Sequence, residues 1–147
     1  MTDTKVAKKY LNDIRSIEAE INTKQELADT LRSQALSIQA SSLKDMNVQE
    51  SLRQTTQDRI AKYMDMQQDI NTMVDELVDE KRAVIKQINQ LDEGIHRTIL
   101  IRRYVMEQEW TCIAKAIGYE ERQTLRFHGT ALNAFGKLLS VNVLDCR

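Results

Sequence analysis

Six polar side chains near the C-terminal end could together read nucleic acid: Lys115, Glu121, Arg122, Gln123, Arg126 and His128. An arginine offers a fork of N–H donors that suits a phosphate or the edge of guanine, and a glutamine amide suits adenine. Glu121, Arg122, Gln123 and Arg126 fall at the start of an amphipathic run, Lys115 lies on the run before it, and His128 reads as a structural group or a phosphate donor. No other chemistry is offered. The only other histidine is His96, no Cys, His and carboxylate group has metal-ligand spacing, and there is no glycine-rich phosphate loop or nucleophile paired with a histidine. The sequence therefore predicts a non-enzyme without metal, cofactor or small-molecule substrate.

Such residues need a scaffold, and residues 110 to 135 supply a helix, a sharp turn and a second helix. Trp110, Ile113, Ala114 and Ile117 recur at helical spacing, and Gly118 follows where a chain leaves a helix through a left-handed residue. A second run starts at Glu120, with Thr124, Phe127, Ala131 and Phe135 as its inward stripe. This is the layout of a helix-turn-helix, in which the second helix enters the major groove of double-stranded DNA. Ile95, Ile99, Leu100, Arg103 and Tyr104 predict a supporting helix, and Trp110 and Cys112 are expected to pack in the core of the resulting three-helix domain.

The first two thirds of the chain predict something longer. There is no proline, and all four glycines fall at or after Gly94, so the first 93 residues carry almost no helix-stop signal. One heptad seam runs from Ala7 through Ile14, Ile17, Ile21, Lys24, Ala28 and Leu31 to Ile38, and a second from Thr56 through Ile60, Gln67, Ile70, Val74 and Leu77 to Leu91. Folding the chain back near Asp45 makes an antiparallel coiled-coil hairpin in which Leu31 meets Ile60 and Ile14 meets Leu77. Polar Lys24 then shares a layer with Gln67. Ile14, Ile17, Ile21, Leu31, Ile60, Ile70, Val74 and Leu77 form the expected core of this hairpin or of a homodimer, and off-seam Leu27, Leu36, Met64, Met66 and Met73 widen the apolar face. The expected organisation is all-α: a hairpin over 1–91 with its turn near 42–48, a helix-turn-helix domain over 92–140 and a tail over 141–147.

Charge divides along the same line. Residues 1–94 hold 13 Lys and Arg against 17 Asp and Glu, whereas residues 95–147 hold 8 against 5. Two cysteines are too few for a disulfide framework, and no apolar run approaches the roughly 20 residues that span a bilayer. These features point to a reducing cytoplasm and to no membrane partner.

At its C-terminal third the chain resembles region 4 of bacterial sigma factors, and more closely a family of sigma region 4-like phage proteins that includes ArpU-type late-transcription regulators. The resemblance is carried by Arg102, Arg103 and Tyr104, by Trp110 with Ile113 to Tyr119, and by Arg122, Gln123, Arg126, His128, Gly129, Ala131 and Leu132. The opening KKYLNDIRSIEAEI extends it over most of the chain. It implies a transcription regulator of phage or prophage origin in the bacterial cytoplasm, with host RNA polymerase as a further partner. Where that family carries Gly and Lys before the tryptophan this chain has Gln108 and Glu109, and Glu120 stands where a small capping residue is usual. The acidic substitutions leave a second reading, a protein-binding adaptor acting on host RNA polymerase or a host defence protein. A third is a packaging component resembling a small terminase subunit, which also joins such a motif to a helical stalk.

Overall fold

The computed structural model describes residues 2–41 and 49–145, with side chains described over 2–37 and 53–144. The protein is all-helical, and no strand occurs among the described residues. Two long helices come first, α1 (Asp3–Ser41) and α2 (Gln49–Ile88). Their length follows from the lack of any glycine or proline to break them. Three shorter elements follow: α3 (Gly94–Leu100), α4 (Trp110–Ile117) and α5 (Glu121–Asp145). The expected turn at 42–48 lies outside the described residues. Two compact units emerge, Met1–Ile17 with Leu77–Arg147, and Glu18–Glu76.

Within Glu18–Glu76 the buried positions recur every seven residues. They are Ile21, Ala28 and Ala35 on α1 and Thr56 and Ile70 on α2, with half-buried Tyr63 between the last two. Long side chains bridge the helices: Lys24 Nζ lies 3.5 Å from Met73 Sδ, Gln25 and Gln67 exchange amide hydrogen bonds of 3.1 Å, and the Arg32 guanidinium stands 5.9 Å from the Tyr63 ring centre. As numbers rise on α1 they fall on α2. Gln67 pairs with Gln25, one residue from the expected Lys24 layer, while Lys24 itself reaches on to Met73 and Arg32 to Tyr63. Of the expected core residues here, Ile21 and Ile70 are buried, while Leu31, Ile60 and Val74 remain 37–38% exposed.

The other unit has one continuous core. Ala7, Leu11 and Ile14 from α1, Leu77, Val84, Ile88 and Leu91 around the end of α2, Ile99, Leu100 and Tyr104, Ile113 and Ala114 from α4, and Ala131, Leu132 and Phe135 from α5 are all buried. Ile17 is half-buried. The Tyr10 hydroxyl donates to Gln87 Oε1 at 2.9 Å, and its ring lies 6.3 Å from that of Phe135. Gly136 is buried against the backbone of Asp3, so closely that a Cβ there would fall on the Asp3 carbonyl. The small domain is thus not confined to residues after 91. The first turns of α1 and the last turns of α2 share its core.

Short connections are closed by side chains. Arg97 Nη1 donates to the carbonyls of Leu91 and Asp92, satisfying acceptors that the end of α2 leaves open. Beyond Leu100 the helix widens into a π-turn over Ile101–Val105, where the Met106 N–H bonds to Ile101 O at 2.9 Å. Glu107 then takes a left-handed conformation at φ 56°, and the Lys81 ammonium donates to Val105 O at 3.3 Å.

Candidate nucleic-acid interface

The turn between α4 and α5 is built as its residues dictate. Gly118 sits at φ 76° and ψ 27°, and the N–H groups of Gly118 and Tyr119 both bond to Ala114 O, at 3.0 and 3.1 Å. This pairing satisfies a terminal carbonyl of α4 and requires a left-handed residue, which glycine supplies without a Cβ clash. Tyr119 then packs edge-on against Phe127 at 5.0 Å and fixes the angle at which α5 departs. Thr124, fully buried on the first turn of α5, returns both its N–H and its hydroxyl to Glu120 O, at 2.9 and 3.0 Å. Its burial therefore leaves no polar atom unpaired.

On the opposite side of this turn Glu121, Arg122 and Arg126 are exposed and Gln123 is half-buried. Arg122 and Arg126 stand one helical turn apart, and neither makes an ion pair with a described residue. Lys115 is exposed on α4. Glu121 lies where its charge suits the positive end of the α5 dipole. Leu125 and Tyr119 add apolar surface, 44% and 49% exposed.

His128 is placed differently from the other five. Its Nε2 lies 2.9 Å from the Tyr104 hydroxyl, and its ring meets Trp110 edge-on at 4.6 Å. Burial, then the charges of Lys8 and Arg103, lowers its pKa to about 4. It is neutral at pH 7 and held among aromatic rings, so it adds no cation to the exposed face. Tyr104 is itself buried, and that burial raises its pKa, keeping the hydroxyl protonated. The two groups satisfy one another across this contact, with the imidazole tautomer setting which of them donates.

The Arg-Arg-Tyr sequence before the turn is consumed by structure. Arg103 lies 4.7 Å from the Trp110 ring centre and donates to Gln108 O at 3.1 Å, while Arg102 donates to Gln108 Oε1 at 3.0 Å. Gln108 thereby anchors two arginines at once. Sequence reasoning missed this role, since nothing in periodicity marks a loop glutamine as a bracket. It also misplaced Cys112, which is exposed: the buried edge of α4 is Ile113 and Ala114, and position 112 is turned about 100° from Ile113 around the helix. Glu109 precedes α4 in extended conformation without a side-chain cap, its carboxylate near the positive helix end.

No group of three or more potential metal ligands occurs among the described residues, and no helix there is long and apolar enough to cross a membrane. The chain matches no protein-family model, and neither a curated protein nor a solved structure is significantly similar to it.

Proposed function

We propose that this protein is a DNA-binding transcription regulator in which α4 and α5 act as a helix-turn-helix and the first turns of α5 read the major groove. The long helices then form an antiparallel hairpin that mounts the reading domain and joins two copies. One observation carries the reading: Arg122 and Arg126 stand exposed and unpaired one turn apart, just past the Gly118 turn, while neighbouring arginines 102 and 103 are bound internally. Two exposed cations so placed at the start of α5 suit a phosphate and base-edge contact. The resemblance to sigma region 4-like phage proteins supports a phage or prophage setting, with host RNA polymerase as a partner.

Selection of genomic fragments by the purified protein at near-physiological salt tests it, with the Arg122→Ala, Arg126→Ala double variant as control. Recovery of a short motif that the variant loses is the expected result. Each base-contacting arginine removed should cost about 1–3 kcal/mol of affinity. Equal enrichment by both proteins would remove these residues from any DNA interface. Exposed Leu125 and Tyr119, beside acidic Glu120 and Glu121, favour the adaptor as a second reading. A stoichiometric protein partner retained after nuclease treatment and lost in Leu125→Asp would support it.

A further inference from the structure

We propose that one face of the Glu18–Glu76 unit is a twofold interface with a second copy of this chain, the two copies stacking α1 on α1 and α2 on α2 in antiparallel fashion. The proposal rests on the dimerisation half of the function above and is independent of DNA binding.

The face is defined by its residues. On α1 it carries Lys24, Leu27, Leu31 and Gln34, and on α2 Lys62, Met66, Asp69, Met73 and Glu76, in both cases at alternating steps of three and four. A groove of about 530 Å³ opens along it, lined by Leu31, Gln34, Ala35, Lys62, Tyr63 and Met66 among others. Leu27 and Leu31 are 50% and 38% exposed, and Met66 and Met73 are half-buried. Apolar side chains at this spacing on two neighbouring helices make a bundle face that lacks its other half.

Its pattern specifies a copy of itself. On α1 the arrangement is symmetric about residue 29, so an antiparallel copy sets Leu27 on Leu31 in both directions. On α2 it runs from basic Lys62 through two methionines to acidic Glu76, so an antiparallel copy centred near residue 69 sets Met66 on Met73 and Lys62 on Glu76 twice over. On this face Lys24 meets Met73, which brings residue 29 near the level of residue 68 and close to that second centre, while Arg32–Tyr63 and Gln25–Gln67 set it level with residues 66 and 63. A parallel stack fails the same comparison, because it sets Glu76 level with Glu20 of the copy and leaves Lys62 facing uncharged positions. Roughly 20 residues of each helix, about 30 Å long and roughly 20 Å across the pair, give on the order of 600 Å² of face per copy, near the about 800 Å² per partner of a standard interface. Asp69 is the one like-charged meeting, at the twofold.

The test is the dissociation constant of the full-length dimer, measured by sedimentation equilibrium, with helicity checked by circular dichroism for every variant. Lys62→Glu and Glu76→Lys should each weaken the dimer roughly tenfold, as reversal of two exposed charge pairs allows, and the double variant should restore it. Lys62 and Glu76 are 14 residues apart on one helix, about 21 Å, so such rescue cannot arise within a protomer. Asp69→Asn should tighten the dimer and Leu27→Glu should abolish it. A wild-type monomer, or an assembly larger than a dimer, at about 100 µM overturns dimerisation itself. A wild-type dimer in which the double variant is as weak as either single one, or in which Asp69→Asn brings no gain, overturns this interface and leaves dimerisation standing.

Discussion

Two glycines seven residues apart on α5 give opposite expectations for the same substitution. At Gly129, exposed on the helix, a Cβ would meet no atom within 4 Å. Gly129→Ala should then return only the helix-propensity difference, a stabilisation of about 0.5–1 kcal/mol. At Gly136 the same Cβ would collide with the Asp3 carbonyl carbon and oxygen, and would stand 2.8 Å from Asp3 Cβ. A backbone cannot swing aside as a flexible side-chain tip does, so α1 and α5 must separate. Overpacking of this kind costs about 1–3 kcal/mol or more, against a propensity gain of at most about 1. The propensity gain is common to both, so the two variants should differ by roughly 1–3 kcal/mol, which at about 2–4 °C per kcal/mol for a chain of this size is on the order of 5 °C in Tm. Trp110 is the single tryptophan and lies in the unit concerned, so its fluorescence reports that unit's unfolding separately from the Glu18–Glu76 helices. Deletion of residues 1–5 should remove the difference between the two variants while lowering the stability of both. A Gly136→Ala protein as stable as the Gly129→Ala one would refute the packing of the α1 start on α5.

Because His128 titrates near 4 in the folded protein against about 6.5 unfolded, only the unfolded chain takes up its proton between these values, and stability must fall as pH falls through that window. Its contribution, present in full above pH 6.5 and on the order of 1–2 kcal/mol once solvent screening is allowed for, should vanish from the pH dependence of urea unfolding in His128→Gln. Tyr104→Phe removes the hydrogen-bond partner of His128 and should cost about 1–2 kcal/mol by the same assay, with an effect much less than additive in the double variant with His128→Gln. If Lys115, Arg122 and Arg126 all meet phosphates, DNA affinity should fall with salt with a log–log slope of roughly −2.7 per protomer, near twice that for a dimer. Arg126→Ala should lower that slope by about 1 per protomer if it contacts phosphate, and leave it unchanged while relaxing sequence preference if it contacts a base.

The parts of this fold legible in the sequence are those set by local chemistry. Helices α1 and α2 follow from an unbroken run without proline or glycine, and the end of α4 follows from Gly118, whose left-handed conformation has one ready occupant among the residues there. Register is less firmly written, because seams of seven-residue period match equally well when slid by seven. The choice falls to the sizes of Ala28, Ala35 and their partners and to the connection between the helices. The joining of the α1 start to α5 was equally hidden. Its signals are a Gly136 that reads as a helix weakness and a Leu11 that lies off the main seam yet is fully buried, and both acquire meaning only once a second element is known to approach them.

For the candidate interface, residue type was a poor guide to availability. Four arginines and a histidine cluster between 102 and 128, and of these the sequence marks Arg122, Arg126 and His128 as nucleic-acid contacts. Packing divides them. Arg102 and Arg103 are spent on Gln108 and Trp110, and His128 is discharged by burial beside Tyr104, so the cationic surface contracts to Arg122 and Arg126 with Lys115 behind them. Three cations per protomer, with Glu120 and Glu121 alongside, would exert only a modest electrostatic pull on DNA. In the proposed dimer a second copy would offset that weakness, since two linked reading heads bind far more tightly than either alone when their spacing fits the site. If the protein reads DNA as the proposed dimer, a variant such as Leu27→Glu that parts the copies should lose sequence-specific binding without touching a residue of the reading helix.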